Sequence, residues 1–92
     1  MRIRLCYHAQ IRQAAGVESE EADCAPGADV IEALKDAIAR HGHVFHGLVL
    51  ADDGKIRPSL IVLVNSVPVP HGTRRSLADG DEISVFSAVA GG

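Results

Sequence analysis

The sequence predicts an α+β fold, in which one main helix packs on one face of a mixed sheet of four to five strands. Three observations support this class. Apolar and polar residues alternate near the start of the chain, as in a half-buried strand; the spacing becomes helical over residues 30–41; and apolar segments at 59–65 and 82–87 return to strand patterns. With 92 residues, of which 47% are hydrophobic, the chain is long enough for one small core.

The first two predicted strands form the start of the sheet. The first runs from Ile3 to Tyr7 and places alternate apolar side chains on one face. Residues 10–16 form a connection with some helical character that closes at Gly16. A weaker strand follows over residues 17–24, where four acidic residues suit an edge position because charges discourage pairing with other chains.

The strongest predicted element is a helix over residues 30–41, with apolar residues recurring along one face. Asp29 is its predicted N-cap, and Glu32 three residues later completes a capping box. Gly42 can supply the left-handed residue that ends the helix. The next segment, residues 43–50, is expected to form a short helical turn or loop over the edge of the core.

The second half of the chain supplies the remaining strands. Residues 59–65 are apolar on both faces, which predicts a central strand or one that adds an outer apolar patch. Residues 67–70 form at most a short edge piece, since proline cannot donate a ladder hydrogen bond. A turn at 77–81 precedes the last strand, 82–87. The simplest closure lays the last strand beside the first, with the helix diagonal across one face, which is a β-grasp (ubiquitin-like) architecture.

Charge and composition exclude several classes of function. The formal net charge is −3 and the basic residues are scattered, so no surface for nucleic acid is expected. No apolar segment approaches the roughly 20 residues of a membrane span, and no secretory signal precedes the first strand. The two cysteines, Cys6 and Cys24, are therefore expected to be reduced thiols in a cytoplasmic protein.

One face of the sheet is a candidate surface for a protein partner. If Ile83 and Val85 point to the helix, Phe86 points to solvent on the other face, and an aromatic ring among aliphatic residues often marks a partner site. In the alternative, Tyr7 or the 43–50 segment covers Phe86. The residues predicted to line this surface are His8, Ile61, Leu63, Pro68 and Phe86.

The chain ends in small, uncharged residues, Ala88-Val89-Ala90-Gly91-Gly92. They follow the last predicted strand, so we expect a globular domain over residues 1–87 and a flexible tail over residues 88–92. Two terminal glycines alone are weak evidence of function, because glycine is common in proteins. Their position after a β-grasp pattern makes them more specific.

Several motifs together resemble the MoaD/ThiS family of ubiquitin-like sulfur carrier proteins. The segments that carry the resemblance are Ala9-Gln10-Ile11-Arg12 through Gly16, Val64-Asn65 with Val67-Pro68-Val69, Leu77-Ala78-Asp79-Gly80-Asp81-Glu82, and the terminal Ala88-Val89-Ala90-Gly91-Gly92. Each motif is loose, but their order spans essentially the whole chain.

The resemblance implies a carrier that holds sulfur at its C-terminus. An E1-like adenylyltransferase and sulfurtransferase would adenylate the carboxylate of Gly92 with ATP, and sulfur from a persulfide would convert it to a thiocarboxylate. A second partner, a sulfur-accepting synthase, would take the sulfur. Residues 88–90 would contact these partners as Gly91 and Gly92 reach the active sites. The protein itself would be no enzyme and bind no cofactor.

The resemblance leaves the pathway open. The small subunit of molybdopterin synthase is the leading branch, and thiamine, cysteine or thio-siderophore synthesis remain alternatives. From a different class, the chain could be a protein modifier that joins Gly92 to lysines of targets, or a plain ubiquitin-like interaction domain with a dispensable tail.

Other residue patterns are weaker evidence of function. The spacing of His41, His43 and His46 could suggest a metal site, but no cysteine pair accompanies it, and no metal is expected. Cys6 and Cys24 could be a redox pair but more often such residues fill small apolar spaces. Arg74-Arg75 is expected to be a solvated surface pair that could help to dock an acidic partner.

Overall fold

The computed structural model describes residues 1–87, which form a five-stranded mixed sheet with three helices. The predicted flexible tail, residues 88–92, lies outside the described residues. The elements are β1 (Arg2–Tyr7), α1 (Ala9–Ala15), β2 (Ser19–Asp23), α2 (Val30–His41), α3 (His43–Val49), β3 (Leu60–Val64), β4 (Val67–Pro68) and β5 (Glu82–Ser87). The predicted α+β class, with the main helix on one face of the sheet, is confirmed.

The strand order in the sheet is β2-β1-β5-β3-β4. The last strand lies beside the first, as predicted, and the two are parallel, with Leu5 opposite Ile83. All other neighbours are antiparallel. The acidic strand β2 is at one edge, and the apolar strand β3 lies inside the sheet between β5 and β4.

A two-residue turn joins β3 to β4. Asn65 and Ser66 occupy it with φ angles of 51° and 68°, and Val64 and Val67 pair on either side. Two positive φ angles match the twist that a two-residue hairpin requires, and asparagine tolerates this conformation better than most residues. The paired strand is only two residues long, Val67–Pro68, consistent with the predicted short edge piece.

Helix α2 begins at the predicted capping box. The carboxylate of Asp29 accepts a hydrogen bond from the backbone N–H of Glu32 at 2.9 Å, and the side chain of Glu32 accepts one from the backbone N–H of Asp29 at 3.1 Å. The helix ends at Gly42, whose φ is 84°. These bonds satisfy backbone groups that a helix end otherwise leaves unpaired.

The core lies between α2 and the facing side of the sheet. Helix α2 contributes Val30, Ala33, Leu34 and Ala37, and the central strands contribute Ile3, Leu5, Tyr7, Leu60, Val62, Val64, Ile83 and Val85. The core is mainly aliphatic, and each buried large side chain stabilises the fold by roughly 1.5–3 kcal/mol. The core therefore fixes which side of the sheet remains available to other molecules.

Two segments are more regular than the sequence predicts. The connection after β1 is a complete helix, α1, and residues 43–49 form the seven-residue helix α3, where the sequence predicts a short helical turn or loop. Helix α3 places Phe45 in the core, where its ring meets that of Tyr7 edge-on at 5.4 Å. Tyr7 and Phe45 thus pack on the helix side of the sheet, and the alternative that Tyr7 or the 43–50 segment covers Phe86 is wrong.

Candidate functional site

The side of the sheet opposite α2 carries an apolar patch, which we call the outer sheet face. The register places Cys6, Ser84, Leu63 and Pro68 in one row across four strands. Phe86 lies opposite Ile61 in the next row. Because side chains alternate along each strand, these residues share one side while Ile83 and Val85 are buried on the other.

Two aromatic rings form one end of the outer sheet face. The imidazole of His8 stacks on the ring of Phe86, with centroids 4.2 Å apart and planes 5° from parallel. Phe86 lies on the predicted side of the sheet, where it is half-buried rather than fully exposed. Ile61 beside it remains 44% exposed. This end of the face therefore consists of two stacked aromatic rings next to an exposed aliphatic side chain.

The backbone holds His8 in this position. Its N–H donates to the carbonyl of Val85 at 3.2 Å, which extends the β1–β5 pairing by one residue. The following residue, Ala9, has a φ of 52° and turns the chain into α1. His8 therefore lies at the last sheet position before the turn, with its side chain over β5.

The structure brings half of the predicted site residues together. His8, Ile61, Leu63, Pro68 and Phe86 all lie on the outer sheet face, although Leu63 is half-buried. The other predicted residues, Ala88, Val89, Ala90, Gly91 and Gly92, lie outside the described residues and follow β5 directly in the sequence. That all ten contact a partner stays a prediction.

Comparison with known proteins assigns the chain to a family. The ThiS family matches residues 5–92, which is nearly the whole sequence. This chain belongs to the ThiS family. The match includes the second half of β1, the outer sheet face and the terminal Gly91-Gly92, and it confirms the resemblance that the motifs indicate. Members of this family are small ubiquitin-like carrier and modifier proteins.

Individual relatives agree with this assignment. The ThiS-family protein is 33% identical to small archaeal modifier protein 3 of Haloferax volcanii over 94 residues, which cover all of both chains. Its structure is similar to the crystal structure of SAMP1 from Haloferax volcanii, with a TM-score of 0.89, 27% identity and 100% of both chains covered. It is also similar to a putative molybdopterin converting factor, subunit 1, from Pyrococcus furiosus, with a TM-score of 0.76, 29% identity, and 97% and 99% of the two chains covered.

The three histidines that could suggest a metal site in this ThiS-family protein have different environments. His41 contacts the carboxylate of Glu20, which also accepts a hydrogen bond from the hydroxyl of Tyr7, while His43 and His46 are exposed on α3. Burial raises the pKa of Tyr7, and the neighbouring carboxylate raises it further. Within residues 1–87, no three His, Cys, Asp or Glu side chains are grouped to hold a metal ion. His41 instead joins α2 to the edge strand.

The two cysteines are free thiols at opposite ends of the β1–β2 hairpin. Cys6 pairs in register with Ser19, whereas Cys24 follows β2 and donates its N–H to the carbonyl of Met1. Burial raises the pKa of both thiols. Neither their placement nor their protonation therefore favours a redox pair.

Arg74 and Arg75 lie at the surface, as the sequence predicts, and each also pairs with a carboxylate of the fold. Arg74 binds the capping carboxylate of Asp29 at 2.9 Å, and Arg75 lies 3.4 Å from the carboxylate of Asp81. The side chain of Arg74 is 61% exposed and that of Arg75 is 39% exposed, and both form ion pairs within the fold. They tie the 70–76 loop to α2 and to the turn before β5.

Sequence patterns alone do not reveal the network that aligns β5. The amide of Asn65 donates to Asp81 at 2.9 Å and accepts from the backbone N–H of Glu82 at 3.0 Å. Asp81 also accepts from the backbone N–H of Ala78 at 2.8 Å. The two ends of this network, Val64-Asn65 and Leu77–Glu82, are both motifs of the family resemblance. Their shared occurrence is the only feature of the sequence that could have indicated that the two segments contact each other.

None of the helices within residues 1–87 is long and apolar enough to span a membrane.

Proposed function

We propose that this ThiS-family protein is a sulfur carrier for cofactor biosynthesis that uses the carboxylate of Gly92 as its working group. An E1-like partner adenylates this carboxylate, sulfur replaces one of its oxygens, and the resulting thiocarboxylate is consumed by a synthase. The protein acts as a cosubstrate of both partners in the cytoplasm. No side chain of the carrier is assigned a catalytic role.

The observation that carries the proposal is the position of the outer sheet face relative to the end of β5. Phe86, stacked on His8, is the next-to-last residue of β5, and only five residues separate Ser87 from the end of the sequence. A partner that binds this face is therefore close to the terminal carboxylate. Five extended residues span at most about 17 Å, which limits how far the active site can lie from this face.

The chemistry places few demands on the carrier. A carboxylate is a poor acylating group, so an oxygen of Gly92 first attacks the α-phosphorus of ATP and displaces pyrophosphate. A persulfide sulfur of the partner then attacks the acyl carbon and displaces AMP. A partner thiol cleaves the resulting acyl disulfide, which leaves the thiocarboxylate on Gly92 and a disulfide on the partner. Glycine suits this position because it has no Cβ to obstruct close approach of the backbone.

We propose that the synthase is molybdopterin synthase, in which this protein is the small subunit and delivers sulfur to the large subunit. The support is the likeness to the putative molybdopterin converting factor of Pyrococcus furiosus, which extends over almost the full length of both chains. Carriers for thiamine, cysteine or thio-siderophore synthesis would share the same fold and terminus. The acceptor therefore has to be identified by assay.

A second candidate function is protein modification. The relative with 33% identity over the full length is named a small archaeal modifier protein, which favours attachment of Gly92 to lysines of target proteins. Both functions begin with the same adenylate. They differ in the nucleophile that follows, which is a sulfur atom in a carrier and an amine in a modifier.

The test is the intact mass of the full chain after incubation with ATP, an E1-like activating enzyme and a sulfur source. We expect a gain equal to the replacement of one oxygen by sulfur, and no gain in a variant that lacks Gly92. Covalent adducts with other proteins and no thiocarboxylate would favour the modifier. Neither product with several such activating enzymes would reject both functions.

Substitutions on the outer sheet face test the docking part of the proposal. Ile61→Ser removes an aliphatic side chain of a residue that is 44% exposed on this face, whereas Val44→Ser removes one from α3 at a residue that is 58% exposed. We expect Ile61→Ser to lower the rate of adenylation at limiting carrier by about tenfold, a typical loss for an interface anchor, with Val44→Ser unchanged. Equal rates for both variants would show that partners do not use this face.

A further inference from the structure

A cavity of about 610 Å³ lies on the other side of the molecule, between α2, the 51–59 loop and the 70–76 loop. Its lining residues include Ile31, Lys35, Lys55, Ile56, Pro58 and Arg74. The three segments are far apart in the sequence, so the fold alone creates this site. None of its residues belongs to the outer sheet face.

The charged residues that line the cavity are all basic. The protein carries a formal net charge of −3 and only two lysines, yet Lys35 and Lys55 both line this cavity together with Arg74. No carboxylate of residues 1–87 is among its lining residues. Asp29 is bound to Arg74 outside the lining, and Asp53 accepts the backbone N–H of Lys55 at 3.0 Å.

Both ammonium groups are available to a ligand. Within the described part of the chain, neither Lys35 nor Lys55 forms an ion pair, whereas Arg2, Arg40, Arg74 and Arg75 all do. Two like charges on one cavity repel each other, and a bound anion relieves that repulsion. The site thus has unmet positive charge of the kind that binds phosphate or carboxylate groups.

The floor of the cavity is apolar. Ile31 and Ile56 line it, and both also line a narrower cleft of about 30 Å³ that reaches the core residues Leu34 and Leu60. A concave site of this size, with an apolar floor and a few polar groups at its rim, has the dimensions of small-molecule sites rather than of flat protein interfaces.

We propose that this cavity binds a small organic anion with an apolar or aromatic body, of the class represented by nucleoside monophosphates. The ring system would lie on Ile31 and Ile56, and the phosphate would contact Lys35 and Lys55. The proposal is independent of docking at the outer sheet face, because none of the described residues that line the cavity belongs to that face.

The test is a titration of the full-length, ¹⁵N-labelled protein with AMP, followed by two-dimensional NMR at low ionic strength. We expect saturable shifts of the amides of residues 54–56 and 71–74. Ribose 5-phosphate and inorganic phosphate carry comparable charge without the base, and we expect each to bind at least about fivefold more weakly, because they cannot cover the apolar floor.

Variants separate the cavity from general attraction of anions. Lys35→Gln with Lys55→Gln should weaken AMP binding by about tenfold, since two charge-assisted contacts are lost. The control is Arg12→Gln, which removes one exposed positive charge from α1, outside the cavity, and should change the affinity less than twofold.

Three results would overturn the proposal. One is no saturable shift at the cavity with up to about 10 mM AMP, a concentration at which even millimolar sites fill. Another is equal affinity for AMP and inorganic phosphate, which would mean that the apolar floor plays no part. The third is an equal effect of the lysine and Arg12 variants.

Discussion

At the scale of single residues, Asp81 is a buried carboxylate with hydrogen-bond partners from three other residues. It is buried, and it accepts hydrogen bonds from the backbone of Ala78 and the amide of Asn65, with Arg75 3.4 Å away. The backbone bond from Ala78 has the largest effect, and together these contacts hold the pKa of Asp81 below its ordinary value. The ionised form is therefore part of the structure that starts β5.

This lowered pKa predicts how stability depends on pH. Because the pKa of Asp81 is lower in the folded than in the unfolded protein, its contribution is complete above the unfolded value of about 3.9 and is lost as pH falls through the folded pKa. We expect Asp81→Asn to lower the free energy of unfolding by about 1–2 kcal/mol at pH 7. The difference from the wild type should shrink towards pH 3, measured by urea unfolding.

Asp52→Asn is the control for this experiment, because Asp52 is an exposed carboxylate in the 52–54 turn. Its substitution should change the free energy of unfolding by less than about 0.5 kcal/mol at every pH. If the cost of Asp81→Asn stayed constant between pH 7 and pH 3, the lowered pKa would be the wrong explanation.

At the scale of elements, α2 depends on the side chain that begins it. Asp29 caps the helix through the backbone of Glu32 and binds Arg74 with its second oxygen. We expect Asp29→Ala to lower the free energy of unfolding by about 1–2 kcal/mol, since an N-cap and one ion pair are lost together. Thermal unfolding followed by circular dichroism at pH 7 measures this loss.

The matched control on the same helix is Asp36→Ala. Asp36 pairs with Arg40 at 2.8 Å, but its side chain is 57% exposed, and such pairs contribute only about 0.3–0.5 kcal/mol. A cost for Asp36→Ala as large as that for Asp29→Ala would mean that surface charge, and not the cap, stabilises the start of α2.

The elements differ in how far the sequence predicts them. The long helix α2 repeats its apolar spacing over 12 residues and carries its own caps, so its limits can be derived. Helices α1 and α3 have seven residues each, which is too short for a clear period, and their stability comes from packing. Phe45 shows the consequence, because its place against Tyr7 depends on α3 being a helix.

The sequence likewise predicts some features of the candidate site and not others. The alternation along β1 and β5 places His8 and Phe86 on one side of the sheet, and this much follows from the sequence. Their ring stack depends on the turn at Ala9 and on the parallel register of the two strands. The cavity around Lys35 and Lys55 depends on three distant segments, and no local pattern indicates it.

At the scale of the whole molecule, the fold places the outer sheet face on central strands and the cavity largely on loops. Strand β5, which contains Phe86, and strand β1, which His8 follows directly, lie in the middle of the sheet with neighbours on both sides. The loops that line the cavity are mostly exposed and contain the short turns at Gly54 and Gly72, with φ angles of 81° and 80°. A surface that docks a partner benefits from rigid support, whereas a small-molecule site tolerates loops that close on the ligand.

This separation predicts the pattern of amide hydrogen exchange. The amides of Leu5 and Val85, in the central strands, should exchange only through global unfolding, whereas those of Gly54 and Thr73 should exchange through local opening of their turns. We expect the central amides to exchange at least about a hundredfold more slowly, which corresponds to roughly 2.8 kcal/mol of additional opening free energy. NMR-detected exchange of the full chain at neutral pH measures each rate. Equal rates in the strands and the loops would mean that the molecule opens as one unit, and the outer sheet face would then be no more rigid than the cavity.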